Sequence, residues 1–242
     1  MFTDSSTKTA LVTGAGRGIG RALLDELQKH QFAIVAVVRS SEHIDEINAL
    51  APGSIKAVLC DVTKPESEQV LKDFLKDLLG ESGKIDLLVN NAGFGASAYG
   101  VEGMRYDELD RVLAVSCYGP IRCVRACLPY LRKSQAASIM NISSRFGSVE
   151  WVATGTVPHD QATYPYRIGK AALNMFTSCL SMELKSENIR VLSIDPGKVK
   201  TRFGPNDADT EASEAARSIV DLALNNKSTG MFLHASGEKL PW

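Results

Sequence analysis

Thr9-Ala10-Leu11-Val12-Thr13-Gly14-Ala15-Gly16-Arg17-Gly18-Ile19-Gly20 joins a short apolar run to a glycine-rich turn, and an amphipathic run, Ile19–Lys29, follows. Glycine lets the chain turn sharply and lets backbone N–H groups approach a pyrophosphate. A helix that begins at such a turn adds unsatisfied donors and a favourable dipole. A lone glycine-rich match can be a plain tight turn. Here it lies between a strand pattern and a helix pattern, the context a dinucleotide-binding turn requires.

Working outward, the same alternation continues to the end of the chain. Apolar runs at Thr9–Thr13, Phe32–Val38, Ile55–Cys60, Ile85–Asn90, Ser138–Ile142, Arg190–Ile194 and Met231–His234 read as strands buried on both faces. Helical patterns fill the intervals: Ile19–Lys29, Glu42–Leu50, Glu66–Leu79, Met104–Leu131, Tyr164–Lys185 and Ala212–Leu224. Strands alternating with helices pair in parallel through right-handed crossovers. The expectation is an α/β fold: one Rossmann-type doubly wound domain over residues 1–242, with a mostly parallel seven-stranded sheet and helices on both faces. Two segments break the rhythm, Ser143–Thr163 and Lys198–Thr210. Both read as loops after strands, at the sheet edge where open α/β proteins bind ligands.

Composition narrows the function. A formal net charge of −1 gives no electrostatic case for a nucleic-acid partner or an anionic membrane surface. No apolar run is long enough to span a membrane, and the first residues lack a secretory pattern. The five cysteines, Cys60, Cys117, Cys123, Cys127 and Cys179, form no C-x-x-C pair. They read as a reduced, mostly buried set, and the expected compartment is the cytoplasm. No cluster suits a metal.

The second strand bears on the cofactor. An NAD site usually places Asp or Glu about 20 residues after the glycines, on the ribose hydroxyls. Here Arg39 stands 21 residues past Gly18. A guanidinium pairs with a 2′-phosphate through two N–H groups, and Arg17 can reach the same side. NADP(H) is therefore favoured over NAD(H).

Further motifs follow at successive strand ends: Asp61-Val62, then Asn90-Asn91-Ala92-Gly93, then Asn141-Ile142-Ser143-Ser144. Tyr166-Arg167-Ile168-Gly169-Lys170 and Pro196-Gly197-Lys198-Val199-Lys200-Thr201 complete the set. With Thr13–Gly20 they match, in order, the motifs of the classical short-chain dehydrogenase/reductases, which the chain resembles over nearly its whole length. Tyr166–Asn174 and the ending Gly237–Trp242 are most similar to the C-factor (C-signal) and sniffer-type carbonyl reductase branch. The resemblance implies cofactor contacts at Gly14, Gly16, Arg17, Gly18, Ile19, Gly20, Arg39, Asp61, Val62, Asn90, Ala92, Gly93, Tyr166, Lys170, Pro196, Gly197, Val199 and Thr201. It also implies a catalytic Ser144, Tyr166 and Lys170. Ser116 stands where the family carries a fourth catalytic residue, an asparagine.

Residue chemistry agrees. Tyr166 and Lys170 share one helix face at i and i+4. A phenol with a reference pKa near 10 gains phenolate character beside an ammonium and an oxidised nicotinamide, and lowering it by about 3 units takes roughly 4 kcal/mol. Tyr166 would then exchange a proton with the substrate oxygen while Ser144 hydrogen-bonds it. Tyr164 has no lysine four residues later and reads as a bystander. Tyr166 follows Ser144 by 22 residues, so the stretch with Phe146, Trp151 and His159 is a candidate pocket wall, with Phe94 and Phe203 as others. An aromatic cleft suits a ketone or aldehyde with a hydrophobic body. The expected function is NADPH-dependent interconversion of a carbonyl and an alcohol on a small-molecule substrate. The alternative is an NADP(H)-binding regulator with vestigial catalysis. The family likeness allows a homodimer or homotetramer.

Overall fold

The computed structural model of the chain describes residues 7–97, 99–202, 204 and 207–242. The apolar runs form β1 (Thr9–Thr13), β2 (Ala33–Val38), β3 (Ile55–Leu59), β4 (Leu87–Asn90), β5 (Ser138–Ile142), β6 (Arg190–Asp195) and β7 (Met231–His234). They make one sheet in the order β3-β2-β1-β4-β5-β6-β7. Every pairing between these strands is parallel, so the expected "mostly parallel" sheet is wholly so. The order reverses between β1 and β4, and the glycine turn after β1 opens at that crevice.

The helices are α1 (Gly18–Lys29), α2 (Glu42–Leu50), α3 (Ser67–Leu79), α4 (Tyr106–Leu113), α5 (Gly119–Leu131), α6 (Val149–Ala153), α7 (Tyr164–Glu183) and α8 (Ala212–Asn225). Alternate strand residues feed two cores. Ala10, Val12, Ile34, Ala36 and Met140 pack with Leu23 and Leu27 of α1 and Ile219 of α8. Leu11, Val35, Leu88 and Ile139 pack with Leu71 and Leu75 of α3, Cys123 and Val124 of α5 and Leu180 of α7. Burial on both faces explains the continuous apolar reading of the strands. No helix among the described residues is long and apolar enough to cross a membrane.

Two expectations are corrected. Met104–Leu131 is not one helix. A π turn, Ala114–Tyr118, separates α4 from α5, and Gly119 N bonds Ala114 O five residues back. Pro120 follows at once and has no N–H to continue the α ladder. Ser143–Thr163 is not irregular throughout. It holds the 3₁₀ turn Arg145–Gly147, then α6, then the 3₁₀ turn His159–Gln161. Ser144 and Ser148 start the first two with side-chain caps on Phe146 N and Trp151 N.

Candidate active site

The crevice begins at the glycine turn. Gly14 and Gly18 hold φ of +66° and +55°, conformations that side chains resist. A Cβ on Gly20 would lie 2.2 Å from the Gly14 carbonyl oxygen, so only glycine lets α1 enter this close beneath the turn. Asn91 ties the turn from the opposite strand, its Nδ2 donating to Thr13 O at 2.9 Å and Gly14 O at 3.3 Å. Thr13 Oγ1 accepts the backbone N–H groups of Asn91 and Ala92, both at 3.0 Å. No side chain caps the N-terminus of α1. Its first N–H groups are thus not taken by a cap.

Positive charge gathers beside the turn. Burial depresses the Arg17 guanidinium's pKa, and the charges of Arg39 and Arg202 depress it further. Three guanidiniums this close repel one another unless an anion lies among them. His43 covers the turn, close enough that a Cβ on Gly16 would fall 2.4 Å from its ring. Asp61 uses Oδ1 on Thr63, at 3.0 Å to N and 2.7 Å to Oγ1.

At the other end Thr163 caps α7 by accepting Tyr166 N at 3.3 Å, with Pro165 in the first turn. This register turns Tyr166 and Lys170 toward the end of β5. Ser144 and Tyr166 both line the cleft, and the Ser144 side chain acts to lower the Tyr166 pKa. Lys170 is buried, donates to Ile142 O at 2.7 Å, and sits 5.7 Å from the centre of the Tyr166 ring. The chain's own groups do not lower the Tyr166 pKa as expected. Burial pushes it up to about 12, the Ser144 side chain opposes this, and the charge of Asp195 adds to it. Burial brings Lys170 down to about 8, against the pull of Asp195. The dry site therefore favours a protonated phenol, a proton donor, until another cation arrives.

A buried polar cluster fixes this geometry. Asn174 Oδ1 accepts the hydroxyls of Ser143 at 2.7 Å and Ser193 at 2.6 Å, and its Nδ2 donates to Gly147 O at 3.1 Å. Asn174 thereby bolts α7 to β5, β6 and the turn carrying Ser144. Asn174→Ala takes their partner from the Ser193 hydroxyl and the Gly147 carbonyl and leaves the Ser143 hydroxyl only Lys170 O at 3.5 Å. The expected loss is about 2–4 kcal/mol of stability, read from urea unfolding. A loss under about 0.5 kcal/mol would show that the cluster does not hold the site together.

The two ends belong to one cleft of about 1220 Å³. Its lining holds Gly14, Gly16, Arg17, Gly18, Ile19, Gly20, Arg39, Asp61, Val62, Ala92, Gly93, Ser144, Tyr166, Lys170, Pro196, Gly197, Val199 and Thr201. Phe94, Phe146 and Trp151 line it too. Some expected residues fall elsewhere. Asn90 is buried under the sheet and donates to Asn141 Oδ1 at 2.8 Å, while its neighbour Asn91 lines the cleft. His159 is exposed and is not among the lining residues, and Tyr164 is likewise outside, 45% exposed. Ser116 lies in the π turn, 1% exposed, its hydroxyl without a partner and packed on Gly169. It does not line the cleft. Phe203 lies outside the described residues. All five cysteines are free; Cys60, Cys123 and Cys127 are buried, Cys117 is half-buried and Cys179 is exposed, a mostly buried set as expected. The sequence reading also passed over lining residues that the fold brings in: Asn91, His43, Arg202, Arg145 and Asp195.

Comparison with known proteins agrees with this architecture. Residues 8–212 match the family model described as short chain dehydrogenase. The C-signal of Myxococcus xanthus is 32% identical over 163 residues, 66% of this chain and 95% of that protein. An uncharacterized oxidoreductase of Staphylococcus aureus (strain MW2) is 31% identical over 94% of this chain and 95% of its own. Among solved structures, the carbonyl reductase Sniffer of D. melanogaster superimposes with a TM-score of 0.86 at 28% identity, covering 98% of this chain and 100% of that one. The NADPH-bound carbonyl reductase from chicken fatty liver gives 0.86 at 28% identity, over 98% and 99%. The chain belongs to the short chain dehydrogenase family.

Proposed function

We propose that the protein is an NADP(H)-dependent oxidoreductase that interconverts a ketone or aldehyde and the corresponding alcohol. The observation that carries this reading is that Ser144, Tyr166 and the buried Lys170 line the same cleft as the glycine turn. Bound NADPH would supply the hydride. Tyr166 would give its phenolic proton to the carbonyl oxygen as charge develops there. Ser144 would hold the same oxygen with its hydroxyl. Lys170 donates one N–H to Ile142 O and has two more for the cofactor's ribose hydroxyls. Gly14, Gly16, Gly18, Ile19 and Gly20 would carry the pyrophosphate, and Asp61, Val62, Ala92, Gly93, Pro196, Gly197, Val199 and Thr201 the rest of the cofactor.

The cofactor choice rests on the guanidiniums. Arg17, Arg39 and Arg202 gather at the ribose-phosphate end, and the resemblance to an NADPH-bound reductase points the same way. Arg39→Asp removes one of them and adds repulsion. Kd for NADPH is expected to rise about 10- to 100-fold while that for NADH falls or holds. An unchanged NADPH-to-NADH ratio would remove Arg39 from the site. The function itself is tested by NADPH oxidation over a panel of ketones, aldehydes and quinones. Turnover of at least one member is expected. Tight NADPH binding with no turnover on the whole panel would instead favour a regulator.

A further inference from the structure

Next to Ser144 the cleft holds a charged pair that the chemistry above does not use. Asp195 ends β6, and its side chain is 3% exposed. It accepts Arg145 Nε at 3.0 Å. Arg145 starts the 3₁₀ turn that follows Ser144, and this turn is held on both sides. Ser144 Oγ caps it at Phe146 N. Gly147 presses so closely on α7 that a Cβ there would fall 2.8 Å from the Lys170 backbone. The guanidinium is therefore mounted on rigid backbone, one residue from the hydroxyl that would hold the substrate oxygen.

A guanidinium has five N–H donors in a planar fork. One serves Asp195. Among the described residues no further hydrogen bond of the Arg145 side chain is recorded, that side chain is 33% exposed, and it lines the cleft. Neutralising Asp195 requires a single contact and no opening to the cleft. Arg167 is different: its Nε and Nη2 are turned onto the carbonyl oxygens of Ala162 and Pro158, its Nη1 is buried without a hydrogen-bond partner among the described residues, and it does not line the cleft. Arg145 keeps its Nη edge for something else. Asp195 fixes the fork's tilt through Nε, which leaves the two-pronged edge that matches a carboxylate.

We propose that Arg145 is a specificity-determining residue and that the substrate is an oxo acid, or the matching hydroxy acid. Its carboxylate pairs with Arg145 while its carbonyl meets Ser144 and Tyr166. The proposal rests on the carbonyl-reductase reading and adds the anionic group to the hydrophobic body implied by Phe146 and Trp151.

The test compares acids with their primary amides, which match in shape and lack the charge. Suitable pairs are 4-oxopentanoate, 5-oxohexanoate and 4-acetylbenzoate, each beside its amide. For at least one pair, wild-type kcat/KM is expected to favour the acid about 10- to 100-fold. Arg145→Met alone would strand the buried Asp195, so the decisive variant is Arg145→Met with Asp195→Asn. In it the acid-to-amide ratio should fall to about one, and Arg145→Lys should lie between. Benzoate binding to the NADPH-loaded protein, followed by cofactor fluorescence, provides a readout free of turnover. It should weaken about tenfold or more in the double variant. No acid preference in the wild type overturns the proposal, as does a preference that survives the double variant. So does a variant whose defect lies in NADPH affinity alone. Failure to reduce any acid or amide, with benzoate binding still dependent on Arg145, would instead overturn the activity reading and leave the anion site standing.

Discussion

Tyr166→Phe is expected to lower kcat for carbonyl reduction about 10³-fold or more, within the range general acids supply, while leaving Kd for NADPH within about threefold. The substitution removes one oxygen. The ring remains against Lys170, and the cap on α7 uses the backbone of residue 166, so the helix and its register persist. What goes is the hydroxyl and its proton. Ser144→Ala should cost less, about 10²-fold, since it removes a stabilising donor and not the acid. The pH behaviour follows from direction. Burial holds the phenol up at about 12, so it stays protonated and competent as a donor through the neutral range. Reduction should be flat between about pH 6 and 8, whereas alcohol oxidation, which needs the phenolate, should climb with pH. Stopped-flow NADPH absorbance measures both, by its loss during reduction and its gain during alcohol oxidation with NADP+. A variant within tenfold of wild type would mean that another group, or water, delivers the proton.

Much of this was legible in the sequence, for physical reasons. Strands buried on both faces are apolar at every position, and Thr9–Thr13, Ser138–Ile142 and Met231–His234 were bounded to the residue. The glycine turn was legible because Gly14, Gly18 and Gly20 answer steric demands that no other residue meets. Neighbours within a motif were harder. Asn90 and Asn91 are equally polar, but the alternation at a strand end sends Asn90 beneath the sheet and Asn91 to the turn. His159 was placed by proximity in sequence, and the 3₁₀ turn carrying it leaves it exposed. The π turn at Ser116 has no periodic signature, since one widened turn shifts the pattern by a single residue. Arg145 and Asp195 meet across fifty positions, which no local pattern encodes. Burial raises the Tyr166 pKa in the cofactor-free chain, a contribution that counting charges along a motif does not include.

That dryness leads to the second large effect, on Lys170. Lys170→Met should reduce turnover at least about 10²-fold and yet make the ligand-free protein more stable. An unfolded lysine titrates near 10.5, whereas burial brings this one to about 8. Below pH 8 both states carry the proton, and the folded state bears a penalty of about 3 kcal/mol for the charge. Methionine fills a similar volume without it. The variant gives up the hydrogen bond to Ile142 O, worth about 1 kcal/mol, and a countercharge for Asp195. A net gain of about 1–2 kcal/mol remains, or roughly 3–6 °C in Tm for a chain of this size. The sign reverses with pH. Between about pH 8 and 10.5 the unfolded wild type binds more protons than the folded one, so wild-type stability gains and the variant's advantage shrinks toward zero. Buried thiols such as Cys60, raised to about 11, titrate in both proteins and cancel in the difference. Calorimetry of both proteins at pH 7 and pH 10 decides it. A less stable variant at pH 7, or an advantage that does not decay by pH 10, would show that the ammonium is held without strain. The expected pattern would show that the residue placed to serve the reaction is one the fold would be more stable without.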